Sequence, residues 1–150
     1  MDNDTPTPRA AAAPAAPGLK PAGRVFPSAI LCAHILARGD EPGAPHWDWT
    51  VRGQPRAAAA DVERVSMAFD RLLDAALELS VTGARMRAEV LYEGGTAAAT
   101  IAFAPTPSAS NPGALAALRA RLGPVQAVFV EHGGGLEVDL GRMTVMMPLA

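Results

Sequence analysis

The stretch AAAADVERVSMAFDRLLDAALELS, residues 57–80, constrains the fold more than any other part of the chain. Val62, Val65, Phe69, Leu72, Leu73, Ala76 and Leu77 recur at the 3.6-residue period, so one side of a long helix must be buried. The next stretch supplies a surface to bury it against. ARMRAEVLYE alternates Met86, Ala88, Val90 and Tyr92 with Arg85, Arg87 and Glu89, the pattern of a strand with one covered face. Gly94–Gly95 then makes a hairpin turn, and TAAATIAFA returns. Asp61 is expected early in the long helix, where a carboxylate suits the positive dipole end, and Gly83 is expected to stop it.

The remaining elements follow from the same two periods. VFPSAILCAHILARG, residues 25–39, reads as a first helix capped by Ser28, with Ile30, Leu31, His34, Ile35 and Arg38 at helical spacing. The turn-rich DEPGAPHWDWTVRGQP enters a short strand, HWDWTV, with Trp47 and Trp49 on one face and Asp48 and Thr50 on the other. PTPSASNPG interrupts the pattern. GALAALRARLG is then a short helix presenting Leu115, Leu118 and Leu122, and PVQAVFVEHGG a last helix opening on proline. LEVDL and RMTVMMPL close the chain as a hairpin turning at Gly141. Strand pairs joined this tightly are antiparallel. The predicted fold class is α+β, a two-layer α/β sandwich with a mixed β-sheet and helices on one face.

At 150 residues the chain has room for one core. Residues 1–24, rich in Ala and Pro, are expected to be a disordered tail, because they offer too little apolar surface to offset ordering. Residues 25–150 are expected to form the folded domain. A net charge of −2 leaves no electrostatic footprint for nucleic acid. No apolar run is long enough to insert in a membrane, and no secretory signal is expected. The single Cys32 excludes an intrachain disulfide, so a cytoplasmic location is the simplest expectation.

RLLDAALELS, residues 71–80, resembles the helix of histidine-kinase-like (Bergerat-type, GHKL) ATPase domains that reads Asn-Leu-Leu-x-Asn-Ala-Leu-x-Tyr-Thr. TGARMRAEVLYEGGTAAATIAFA resembles the hairpin after it, and VEHGGGLEVDLGRMTVMMPLA the terminal helix and hairpin. The resemblance covers roughly residues 25–150, in the family's order. It implies a nucleotide pocket between helices and sheet. The helix asparagine there helps hold Mg²⁺ and phosphate, an Asp after the hairpin reads adenine, and a glycine-rich lid covers the phosphates.

At those positions this chain carries other residue types. Arg71 and Ala75 stand where the two asparagines belong, and Asp74 next door is turned away by about 100°. Ala102, Phe103 and Ala104 replace the adenine-reading Asp, and PTPSASNPG replaces the lid. The pocket formed by Arg71, Asp74, Ala75 and Phe103 is therefore expected to be vestigial, with no cofactor, no metal and no catalytic residue. The resulting expectation is a pseudo-ATPase: a non-catalytic regulatory or adaptor module whose partner is a kinase, a response regulator or a second copy.

Two alternatives stand beside it. The resemblance extends to adaptor phosphotransferases with a degenerate ATPase domain, for which His34 is the candidate phosphoacceptor, although Ile35 follows it where such acceptors carry an acidic residue. A structural subunit of a larger complex is the other. The remaining candidates read as structural. His132 sits where a charged imidazole suits a helix C-terminus, and Gly133–Gly135 follow a helix instead of preceding one, unlike a phosphate loop. His46 beside Trp47 reads equally as a contact site or as strand-entry packing, Cys32 as a small core residue, Glu137 and Asp139 as solvent-facing, and Met143, Met146 and Met147 as core or sheet edge.

Overall fold

Alternating side chains sort the sheet of this protein into a covered and an open face. The structure, a computed structural model, describes residues 23–39 and 44–150. In chain order the elements are β1 (Gly23–Val25), α1 (Pro27–Arg38), β2 (His46–Arg52), β3 (Ala58–Ala60), α2 (Val62–Leu79), β4 (Arg85–Glu93) and β5 (Thr96–Ala102). A 3₁₀ turn (Pro107–Ser110), α3 (Pro112–Arg121), α4 (Gly123–Glu131), β6 (Gly135–Asp139) and β7 (Arg142–Pro148) complete it. Five strands make one mixed sheet in the order β2-β4-β5-β7-β6, in which β2 runs parallel to β4 and the other pairs are antiparallel.

Met86, Ala88, Val90 and Tyr92 of β4, Ala97, Ala99 and Ile101 of β5, and Met143, Val145 and Met147 of β7 are buried under the helices. Their neighbours Arg85, Arg87 and Arg142 lie on the open face. α2 adds Val65, Phe69, Leu72, Leu73 and Ala76 to the same core. Phe69 meets Phe129 of α4 edge-on, with ring centroids 5.3 Å apart. Each such large side chain contributes roughly 2–3 kcal/mol by leaving water. The predicted sandwich and both hairpins are therefore present.

Several boundaries differ from expectation. α2 begins at Val62, because Asp61 is its N-cap and accepts the Arg64 N–H at 3.3 Å. Ala58–Ala60 instead pair antiparallel with Gly23–Val25, so Gly23 and Arg24 of the expected tail belong to a strand. Residues 1–22 of that tail, and 40–43 of the turn-rich linker, lie outside the described residues. α2 ends at Ser80, which bonds back to the Ala76 carbonyl at 2.6 Å, and Gly83 lies in the following turn. Ser28 does not cap α1, whose N-cap is Phe26. Tyr92 serves that helix end, its hydroxyl accepting the Ser28 N–H at 3.1 Å and lying 2.6 Å from the Ser28 hydroxyl.

The glycines near the end are a stop and an entry. Gly133 takes φ +86°, and the Gly134 N–H reaches the Phe129 carbonyl at 2.8 Å, closing α4. A Cβ on Gly134 would run into the Met146 carbonyl. No helix among the described residues is long and apolar enough to cross a membrane.

Candidate functional site

α2 carries Ser66, Asp70, Asp74 and Glu78 at four-residue spacing, which places them in one row along the helix. The flanking helices meet this row with their own polar groups. Arg38 of α1 donates to Asp70 at 2.5 Å and to Asp74 at 2.8 Å. Burial works against the Arg38 charge, but its hydrogen bonds and attraction to the two carboxylates outweigh burial and hold its pKa above the ordinary value. Arg121 of α3 forks onto Glu78 with bonds of 3.0 and 2.9 Å. That fork holds the Glu78 carboxyl below its usual range and raises Arg121 in return.

The four pocket positions divide into two pairs. Arg71 and Asp74 lie exposed beside a cleft of about 270 Å³, whose other walls are Arg121, Leu122, Pro124 and Val125. Ala75 and Phe103 face the core instead, at 0% and 7% exposure. The chain after β5 is stitched down over this region. Val81 N–H donates to the Ala104 carbonyl at 2.9 Å, Thr106 N–H to Leu79 at 2.9 Å, and Phe103 N–H to Gly141 at 2.9 Å. Ser80 and Pro105 form a bridge between the same segments. Residues 104–106 are thus paired with the end of α2 and the turn after it.

His34 lies in the α1–α2 seam. Its Nε2 is 2.9 Å from Ser66 Oγ and its Nδ1 3.4 Å from Asp70 Oδ1, with the side chain 22% exposed. Nε2 is therefore engaged by α2, and Nδ1 lies beside the Asp70 carboxylate of the same helix.

His132 differs from the reading of a charged cap. It is buried, its Nε2 accepts the Asp61 N–H at 3.0 Å, and its Nδ1 lies 2.8 Å from the Val128 carbonyl. A nitrogen that accepts carries no proton, so Nδ1 is the donor and the ring is neutral in this arrangement. An ion pair between Arg64 and Glu131 ties the same two helices. His46 is exposed beside Asp48, and Cys32 is a half-buried free thiol. Among the described residues, no three His, Cys, Asp or Glu side chains converge as metal ligands.

Sequence reasoning missed the Arg38, Arg121 and His132 contacts. The row of acids on α2 was readable from its spacing. Its arginine partners come from helices 32 and more residues away, which no local pattern encodes.

The architecture is that of histidine-kinase-like ATPase domains. A mycobacterial sensor histidine kinase, MprB, superposes with a TM-score of 0.66 at 18% identity over 85% of this chain and 98% of that one. A histidine kinase from Burkholderia phymatum gives 0.67 at 19% identity, over 85% of this chain and 71% of the other. Full-length ShkA in complex with AMPPNP gives 0.62 at 18% identity, covering 95% of this chain and 33% of ShkA. No protein-family model matches the sequence, and no curated protein matches it.

Proposed function

We propose that this chain is a non-catalytic module of bacterial signalling type, built on a kinase ATPase fold and acting through a protein partner such as a kinase or a response regulator. Ala75 carries the reading. Where the resemblance puts a metal-binding asparagine, a methyl group lies fully buried. Mg²⁺ takes oxygen ligands in near-octahedral geometry, and a methyl supplies none.

Asp74 does not make up the loss. Its carboxylate is already bound by Arg38 at 2.8 Å, so a cation would have to displace a guanidinium to reach it. Phe103 presents no acceptor to an adenine amino group, and it is packed in the core. ShkA, of the same fold, was solved with a nucleotide analogue; the residues just named are the reason to expect otherwise here. Phosphotransfer through His34 would need an open ring nitrogen, and both nitrogens are directed at α2. A binding role is therefore preferred.

Isothermal titration of the full chain with Mg-ATP and Mg-ADP tests the proposal. No saturable heat is expected up to roughly millimolar nucleotide. Micromolar binding that disappears in Asp74→Ala would contradict it.

A further inference from the structure

α1 is apolar on its outer side as well as its inner one. Its polar residues are all engaged by other elements: Ser28 by the Tyr92 hydroxyl, His34 by Ser66, and Arg38 by Asp70 and Asp74. Pro27, Leu31 and Ile35 are buried in the core. Outside remain Ala29, Ala33, Leu36 and Ala37, with Phe26 at the N-cap, all exposed and none with a polar side chain. Leu36 is 68% exposed and Phe26 46%. At about 100° per residue the four helical positions fall within one strip. A helix on a protein surface ordinarily turns charged or polar groups outward, and one that is apolar all round is covered.

The strip is its own complement. Phe26, Ala29, Ala33 and Leu36 are spaced three, four and three residues apart, so the order reads large, small, small, large in both directions. Laid antiparallel across a two-fold axis at the level of Leu31, Phe26 of one copy meets Leu36 of the other, and Ala29 meets Ala33. Contacts between identical surfaces have this form, in which residue i touches j and j touches i. The central alanines let the two helix axes approach to about 8 Å. The strip carries no charge, so a second copy meets no like charge on it. The same pairing sets Arg24, exposed just before α1, beside the negative C-terminal end of the other copy's helix. An unrelated apolar partner would have no need of this symmetry.

We propose that the outer face of α1 is the contact between two copies of this chain, crossing antiparallel about a two-fold axis at Leu31. A helix of 12 residues is about 18 Å long. One strip of it buries far less than the roughly 800 Å² per partner of a standard interface. The dimer is therefore weak, with a Kd of about 0.1–1 mM. This inference goes beyond the reading of the nucleotide pocket and does not depend on it.

The test is sedimentation equilibrium of the full chain up to about 1 mM, with ¹⁵N amide shifts followed on dilution. Dimers are expected, with concentration-dependent shifts centred on Ala29, Ala33, Leu36 and Ala37. Leu36→Glu and Phe26→Lys should each weaken self-association at least about tenfold. An equal mixture of the two variants should associate again, because the antiparallel register sets the substituted positions opposite each other with opposite charge. If Phe26→Lys does not fold, Ala33→Glu takes its place at the centre of the strip, and self-association should be lost.

No association at about 1 mM, a dimer whose shifts lie on another face, or an unchanged Kd in Leu36→Glu overturns the proposal. So does a mixture that associates no better than either variant alone. A monomer with Overhauser contacts between residues 1–22 and Leu36 would give the strip to the chain's own N-terminal segment instead, and overturns it too. Failure here leaves the nucleotide titration untouched, so the two readings fall separately.

Discussion

His132 joins the end of α4 to the start of α2 through one ring nitrogen, which accepts the Asp61 N–H, while the other lies against the Val128 carbonyl of α4 itself. His132→Ala leaves the Asp61 N–H without its partner, whereas the Val128 carbonyl keeps the backbone N–H of residue 132. The predicted loss is about 1–3 kcal/mol, read as a lower urea midpoint with unchanged slope. Gly or Ala substitutions at exposed sites such as Arg142 should cost far less. Glu78 makes a different prediction. Its carboxyl has a lower pKa folded than its ordinary 4.5, because Arg121 binds the charged form. The pair therefore adds stability in full above pH 4.5, and that contribution fades as pH falls through the depressed folded value. Glu78→Gln should flatten the acid limb of a stability–pH curve. Both partners are well exposed, so the loss at neutral pH is under about 1 kcal/mol.

The elements divide by how local their causes are. α2, β4, β5, β6 and β7 were legible because a period of 3.6 or 2 runs through each, and glycine pairs or breakers mark their ends. β1 and β3 were not. Ala57–Ala60 has high helix propensity, and its strand exists because Ala58 and Ala60, both at 0% exposure, are small enough to pack there. Tertiary fit overrode propensity over three residues. The α1–α2 seam was partly legible: His34 and Arg38 were read on one stripe of α1, but their partners Ser66, Asp70 and Asp74 were not. A double-mutant cycle of Arg38→Ala and Asp70→Asn should give a coupling of about 0.5–1 kcal/mol, discounted for the exposure of Asp70. Zero coupling would show that the Arg38–Asp70 pair adds nothing to the stability of the seam.

At the scale of the whole molecule, the two-layer fold and the ligand chemistry have separate requirements. The fold needs a covered sheet face and an amphipathic α2, and both are here. Nucleotide chemistry needs oxygens at a few positions, and the residues at Ala75 and Phe103 are hydrocarbon. Their identities were readable in the sequence. Their burial, and the pairing of residues 103–106 with the end of α2, required the structure. Restoring one residue should not restore the site: Ala75→Asn buries an amide and is predicted to cost about 1–3 kcal/mol without conferring Mg-ATP binding, checked by denaturation and calorimetry together. The most direct measurement is a crystal structure grown with Mg²⁺ and AMPPNP at high concentration. The account predicts Phe103 packed in place, Asp74 still bound to Arg38 and no nucleotide beside α2. A nucleotide seated there, with its cation coordinated by Asp74, would contradict it.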